Sequence, residues 1–174
     1  MEGGRRRPLG ILAAMDGKWL NAREQTAWRA YIETQGDLTA ALERDLGQLG
    51  LTLGDYQVLV YLSEADDDAM RMCDLADVLQ LSPSGLTRRL DGLVKSAHVK
   101  RQPSELDGRV MMAVLTPAGR SLLTDSAPHH VQSVRRNIFD HLTAEQTDAM
   151  AAIFTAISAG LAASAADDDD ADAA

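Results

Sequence analysis

A basic run in the middle of the sequence, LSPSGLTRRLDGLVK, carries side chains whose types and order could contact double-stranded DNA. On a helix that enters the major groove by its N-terminus, Ser84 and Thr87 are short enough to allow close approach, and Arg88 can bond a guanine edge. Asp91 argues against such contact, because a carboxylate repels phosphates, and it could instead pair with Lys95 one turn later. A polar row on a solvated surface helix remains the alternative interpretation.

A second candidate lies downstream, in a loop that ends in Asp107, Gly108 and Arg109. We expect Gly108 to make a tight turn and Asp107 to orient the Arg109 guanidinium toward a narrow minor groove, where negative potential is concentrated. A turn with a local salt bridge is the alternative. Together the two segments give the predicted DNA-binding residues Ser82, Pro83, Ser84, Thr87, Arg88, Arg89, Lys95, Asp107 and Arg109.

Cysteine and histidine offer weaker candidates for a reactive or metal site. Cys73 is the only cysteine, so no intrachain disulfide can form. It could act as a redox sensor, but a free cysteine is more often a small buried apolar residue. His129, His130 and His141 could bind zinc, yet the first two are adjacent and point apart, and no second motif joins them. We therefore expect no metal site and no cofactor.

Aromatic residues could serve a small ligand. Trp28, Tyr31 and Tyr56 could line a binding crevice, although aromatic side chains at helical spacing more often belong to a core. The sequence shows no Ser/His/Asp or Cys/His catalytic arrangement and no glycine-rich phosphate loop. An enzyme is therefore not expected.

Composition and charge describe one soluble globular domain with a locally basic segment. The 174 residues are 45% apolar, 25% charged and 4% aromatic, which excludes disordered, collagen-like and membrane classes. The net charge is −9, but the C-terminal run AADDDDADAA holds five aspartates, and residues 82–109 carry a net charge of +3. No eighteen consecutive residues are apolar, so we expect no membrane partner. The arginine-rich start imitates a signal peptide without a convincing processing site, and a cytoplasmic protein is expected.

Capping residues predict four helices in the first part of the chain. Asn21 and Glu24 form a capping box that begins a long helix, which ends among the glycines after residue 46. Thr52 caps the second helix, and a short third helix follows. The fourth begins at Ser82, about three residues after the third, which is the helix-turn-helix pattern, and it runs to about residue 97. Its apolar arc, expected to face the core, consists of Leu86, Leu90, Leu93 and Ala97.

The second part of the chain is predicted to hold a hairpin and two more helices. Alternating side chains predict strands at residues 98–102 and 110–115, which form a wing after the fourth helix. Pro128 should kink or break the fifth helix. Thr143 and Gln146 form the capping box of the last helix. The apolar face of that helix needs a partner surface, and it consists of Met150, Ile153, Phe154, Ile157 and Leu161.

The segments LADVL, LSPSGLTRRLDGLV, ELDGR and LTPAGR, between Leu75 and Arg120, resemble the winged helix-turn-helix of MarR-type transcriptional regulators. The Asp-x-Arg of the wing, followed by Leu-Thr-x-x-Gly-Arg, is the most specific part. The resemblance covers about residues 19–162 and implies an obligate homodimer, in which the first, fifth and sixth helices interlock and two recognition helices read a palindromic operator. It also implies a crevice for small aromatic or phenolic acids. Cys73 departs from the pattern, in which a polar residue without a thiol is usual.

We therefore predict a mainly α fold with a small β-hairpin wing, in which a winged helix-turn-helix is flanked by dimerisation helices. The predicted function is that of a homodimeric, ligand-responsive repressor that binds double-stranded DNA. A redox- or metal-responsive regulator of the same fold, and a winged-helix protein-interaction module that does not bind DNA, remain alternatives. The predicted boundaries are a flexible leader at 1–16, an N-terminal dimerisation helix at 17–50, the DNA-binding lobe at 51–116, C-terminal dimerisation helices at 117–163 and a disordered acidic tail at 164–174.

Overall fold

The computed structural model describes the backbone of residues 19–172 and the side chains as far as residue 164. The leader predicted at 1–16 lies outside the described residues. The described residues divide into two compact units, one that ends at Thr39 and one that begins at Ala40, each with its own internal contacts. The described helices are α1 (Ala22–Gly47), α2 (Leu53–Glu64), α3 (Met72–Val78), α4 (Pro83–Lys95), α5 (Pro117–Asn137) and α6 (Ala144–Asp172). The strands are β1 (Ala69–Arg71), β2 (Val99–Pro103) and β3 (Met111–Leu115).

Side-chain caps fix where the helices begin, as the sequence predicts. The Asn21 side chain accepts the N–H of Glu24 at 3.1 Å, and the Glu24 carboxylate accepts the N–H of Asn21 at 2.7 Å. This reciprocal pair satisfies backbone donors that have no partner inside the helix. The same arrangement is formed by Thr52 with Asp55 and by Thr143 with Gln146.

One apolar core holds α4 against the rest of the lobe. Leu86, Leu90 and Leu93 are buried in it, as predicted. Their neighbours in the core come from the helices before α4 and from the sheet, and include Val58, Leu59, Leu62, Leu75, Val99 and Ala113. Burial of each large side chain stabilises the fold by about 1.5–3 kcal/mol. The face of α4 that carries Ser84 and Arg88 therefore points away from the core.

The prediction that Ala97 faces the core is wrong. The helix α4 ends at Lys95, and Ala97 is exposed with a left-handed φ of 59°. The N–H of His98 donates to the carbonyl of Leu93 at 2.8 Å, and the N–H of Ala97 donates to that of Val94 at 3.0 Å. This pair of bonds is the Schellman motif, which reverses the chain and directs it into β2.

The wing is part of a three-stranded antiparallel sheet of order β1-β3-β2. The predicted hairpin of β2 and β3 is confirmed, with Arg101 opposite Ala113. The sequence did not predict β1, in which Met70 also lies opposite Ala113 from the other side. A strand of three residues is too short to show an alternating pattern, and it forms here because β3 offers a free edge.

The C-terminal helices differ from the sequence prediction in two places. The helix α5 runs without the predicted break through Pro128; Ser126 and Ser133, on either side of the proline, are buried, and the Ser133 hydroxyl donates to the Asp45 carboxylate of α1. Packing here overrides the cost of a proline inside a helix. The helix α6 continues to Asp172, past the boundary expected at residue 163, because most of the run from 159 to 166 is alanine, the strongest helix former.

The apolar face of α6 is exposed within the chain. Ile153, Phe154 and Ile157 each leave about half of their surface in solvent. Among the described residues one helix, Ala144–Ser164 within α6, is long and apolar enough by length and composition alone to cross a membrane, and none of it is buried. The count of uninterrupted apolar residues missed this helix because serine, threonine and glycine divide the run.

Candidate nucleic-acid interface

The N-terminus of α4 presents the short polar side chains that the sequence placed there. Ser82 caps the helix by accepting the N–H of Gly85 at 3.1 Å, and Pro83 occupies its first turn. Ser82, Pro83 and Ser84 are exposed, and the hydroxyls of Ser82 and Ser84 lie 3.2 Å apart. This end of the helix is therefore free to approach another molecule closely.

The outward row of α4 is confirmed as solvent-exposed. Arg88 and Lys95 are both exposed, and within the described part of the chain no hydrogen bond or ion pair holds the Arg88 guanidinium. Thr87 is exposed as well, but its hydroxyl donates to the carbonyl of Pro83 at 2.9 Å. The methyl group of Thr87 is therefore available to contact another molecule, whereas its hydroxyl donor is already used.

Arg89 lies apart from this row. Its Nη1 donates to the Thr52 hydroxyl at 3.2 Å, at the start of α2. The guanidinium rests on Gly54, where a Cβ atom would lie only 2.4 Å from the Arg89 Cζ. Gly54 is therefore the residue that allows this arrangement, and Arg89 faces a different part of the lobe from Arg88. A DNA contact by Arg89 stays a prediction.

In the wing loop, the hydrogen bond of Asp107 and the role of Gly108 differ from what the sequence predicted. The Asp107 carboxylate accepts the backbone N–H of Arg109 at 3.0 Å, so the prediction that it orients the guanidinium is wrong. The N–H of Val110 closes the turn on the carbonyl of Asp107 at 2.9 Å. Gly108 does not have a positive φ, and a Cβ there would meet nothing within 4 Å, so the turn does not require glycine. Arg109 is exposed at the end of this loop.

The ion pair expected between Asp91 and Lys95 does not form. The Asp91 carboxylate instead accepts the Nη2 of Arg101, on β2, at 2.9 Å. The same Nη2 donates to the carbonyl of Thr87 at 2.7 Å. Arg101 was missed as a functional residue, although the alternation of the strand places it on the same side as buried Val99.

A cavity of about 350 Å³ is lined by residues of α3, α4 and the sheet. Cys73 lines it and is exposed, so the expectation of a buried thiol is wrong, and the thiol lies 3.3 Å from the Asp74 carboxylate. The walls are mostly apolar and are formed by Met72, Cys73, Ala76, Pro83, Leu86, Thr87, Arg101 and Met111.

The aromatic candidates take part in separate contacts. Tyr56 is 8% exposed, and its ring centroid lies 4.3 Å from that of His130 on α5. Burial raises the pKa of Tyr56 and lowers the pKa of His130. Trp28 and Tyr31 pack on each other along α1, with ring centroids 5.8 Å apart, and both are exposed.

An unpredicted polar cluster joins the end of α1 to α5. The Asp45 carboxylate accepts bonds from the Ser133 hydroxyl and from the Arg136 guanidinium. The hydrogen bond from Ser133, with a further effect from Arg136, holds the pKa of Asp45 below its usual value. Among the described residues, no group of three or more His, Cys, Asp and Glu side chains is arranged to hold a metal ion.

Comparison with known proteins places this arrangement among DNA-binding regulators. A family model described as the MarR family matches residues 49–110, which span α2 to the end of the wing loop. AbsC, a MarR family transcriptional regulator from Streptomyces coelicolor, is 40% identical with a TM-score of 0.78, over 83% of this chain and 97% of AbsC. Sco3205, a MarR family transcriptional regulator from the same organism crystallised in complex with DNA, is 36% identical with a TM-score of 0.78, over 83% and 91% of the two chains.

A curated relative comes from Bacillus subtilis (strain 168). The HTH-type transcriptional repressor YetL is 26% identical over 99 residues, which are 57% of this chain. The match spans 59% of the length of YetL, so it covers little more than half of that repressor.

Proposed function

The chain belongs to the MarR family of transcriptional regulators, and from this premise we propose that it is a homodimeric repressor whose two α4 helices read a palindromic operator. Members of this family are regulators, so the protein is not an enzyme. The observation that carries the proposal is the exposed row of α4, in which short side chains precede an Arg88 that no other described side chain holds. A free guanidinium behind a small-residue tip fits bidentate contact with a guanine in the major groove.

The wing supplies the second proposed contact. Arg109 is exposed at the end of the loop, and the loop backbone is held by bonds to Asp107. An arginine on a preformed loop loses little further backbone freedom on binding, which favours its insertion into a narrow minor groove. Lys95 and Ser84 flank the α4 row, and we assign them contacts to phosphates, which orient the protein without reading sequence.

The exposed apolar face of α6 supports the homodimer. Ile153, Phe154, Ile157 and Leu161 lie on one side of the helix, and between 46% and 67% of each is exposed. A contiguous apolar patch of this kind marks an interaction surface. A second copy that covers this face would make a two-fold dimer, and we place the dimerisation segments at 17–50 and 117–163 around a DNA-binding lobe at 51–116. The two half-sites would then lie about 10–10.5 base pairs apart.

A small ligand is proposed to control the release of DNA. The similarity to YetL supports repression, and a repressor of this kind needs a signal that releases DNA. The family resemblance favours a small aromatic or phenolic acid, and the partly exposed ring of His130, which packs on the buried ring of Tyr56, offers an aromatic surface for one. We propose a cytoplasmic location, in which the apolar face of α6 is covered by the partner subunit and not by lipid.

In vitro selection with the full-length protein tests the proposal. A random 40-base-pair library, enriched over several rounds and sequenced, should give a two-fold symmetric consensus with half-sites about one helical turn apart. An enriched pool without symmetry would contradict the dimeric reading of an operator. A pool that retains no DNA at all, at low salt, would favour the protein-interaction alternative, because non-specific binding is strongest there.

A further inference from the structure

Arg101 connects the wing to the recognition helix through a single nitrogen atom. Its Nη2 donates to the carbonyl of Thr87 at 2.7 Å and to the carboxylate of Asp91 at 2.9 Å. Thr87 and Asp91 lie four residues apart, one turn of α4, so the guanidinium spans that turn. One of the two acceptors is a backbone atom, and the position of Arg101 is therefore tied to the axis of α4 as well as to a side chain.

The space beside this contact is not filled by packing. The cavity of about 350 Å³ lies between α3, α4 and the sheet, and Arg101 and Thr87 form part of its wall. The Nε of Arg101 is buried and has no hydrogen-bond partner among the described residues. At Arg101, where the cavity replaces packing, the two bonds made by Nη2 hold β2 to α4, in addition to the apolar core that Val99 shares with the leucines of α4.

The distance between β2 and α4 matters for a protein that contacts two grooves. The strand β2 continues from Arg101 to Pro103, and the loop beyond it carries Arg109. A displacement at Arg101 is carried along the strand to the loop, since β3 pairs with β2 and the hairpin moves as a unit. The α4 row and Arg109 can reach neighbouring grooves of one duplex only when this spacing is correct.

We propose that Asp91 and Arg101 are positioning residues that set the distance between the recognition helix and the wing, and so determine operator specificity without contacting DNA. The inference rests on the proposed function, because it assumes that α4 and the wing bind one duplex. A carboxylate on the outward row of α4 repels phosphates. Its presence there is explained if Asp91 serves to hold Arg101. The side chain of Asp91 is 62% exposed and that of Arg101 is 27% exposed.

The substitution Asp91→Ala distinguishes a positioning role from simple repulsion of phosphates, because the two predict opposite changes in affinity for the consensus duplex. If Asp91 only repelled DNA, its removal would strengthen binding to every duplex. If it positions the wing, binding to the selected consensus duplex weakens about two- to fivefold, the range expected when a solvent-exposed ion pair is removed. Binding to a shuffled duplex of the same composition strengthens slightly in both cases, because the variant carries one negative charge fewer.

The matched control is Asp77→Ala, which removes another exposed carboxylate, from α3. It should strengthen binding to both duplexes and leave their ratio unchanged. The pairing itself is tested by Arg101→Gln and the double variant: if the two residues act together, adding Asp91→Ala to Arg101→Gln causes little further loss of specificity. Thermal unfolding of each variant checks that the lobe remains folded.

Fluorescence anisotropy gives the affinities, and hydroxyl-radical footprinting gives the wing position. We expect Asp91→Ala to lower the ratio of consensus to shuffled affinity and to weaken the minor-groove footprint while the α4 footprint persists. An unchanged ratio together with an unchanged footprint would overturn the inference. Failure of the wild-type protein to bind either duplex would instead overturn the proposed function, so the two failures are distinguishable.

Discussion

Replacement of Arg88 by alanine is the prediction that follows most directly from the exposed row of α4. Arg88 is exposed, and no hydrogen bond or ion pair to it occurs within the described part of the chain. The substitution therefore removes no intrachain hydrogen bond or ion pair, and the free energy of unfolding should change by less than about 0.5 kcal/mol. Any decrease in DNA affinity is then caused by a lost contact with DNA and not by a loss of folded protein.

The loss of binding free energy caused by Arg88→Ala depends on how many guanines the dimer contacts through Arg88. A bidentate arginine–guanine pair contributes about 1–3 kcal/mol, and a two-fold dimer presents Arg88 twice. On a symmetric consensus duplex Arg88→Ala should cost about 2–6 kcal/mol, or at least about 30-fold in affinity. On a duplex with one half-site scrambled, the cost in free energy should be about half as large.

The assay is fluorescence anisotropy across a salt series, with two control variants. Lys95→Ala should weaken binding to consensus and shuffled duplexes equally, and it should reduce the salt slope by about one unit for each phosphate that Lys95 neutralises. Arg135→Ala, an exposed arginine on α5, should change neither affinity. If Arg88→Ala weakens binding to both duplexes by the same factor, Arg88 binds a phosphate, and the base-reading role is refuted.

Three further predictions concern the wing, the dimer and the core. Arg109→Ala should weaken binding most on operators with A·T-rich flanks, because those have the narrowest minor grooves, and equal effects on G·C-rich flanks would contradict its minor-groove role. Phe154→Asp should convert a dimer of the 18.7 kDa chain to a monomer in light scattering, whereas Ala152→Asp, on the far side of α6, should not. The pKa of His130 is lowered by burial, so its contribution to stability is complete above about pH 6.5 and is lost as the pH falls through the folded-state pKa. The free energy of unfolding in urea should therefore decrease below about pH 6.5 in the wild type and less so in His130→Gln, and parallel curves would show that His130 does not titrate in this way.

Local signals explain which parts of the fold could be predicted from the sequence. Asn21, Thr52, Ser82 and Thr143 are caps whose partners lie three residues away, and all four helices begin where they indicate. The leucines of α4 repeat at helical spacing, so the buried and exposed faces of that helix were predictable as well.

The features that the sequence did not reveal depend on contacts between distant residues. Arg89 turns toward Thr52 because Gly54 lacks a Cβ. The spacing of residue types along α4 gives no indication of this contact. Asp91 has two basic residues within reach, and the choice of Arg101 over Lys95 is made by the fold of the hairpin. The strand β1 forms only because β3 has a second edge to pair with.

The proposed contact between Arg88 and a guanine can be tested at the level of single atoms. Each guanine of the selected consensus duplex is replaced in turn by 7-deazaguanine, which lacks the N7 acceptor that a bidentate arginine needs. If Arg88 reads a guanine, we expect one position per half-site at which the replacement weakens binding of the wild-type protein but not of Arg88→Ala. If the replacement weakens both proteins equally at every position, Arg88 does not read a guanine, and the outward row of α4 has another role.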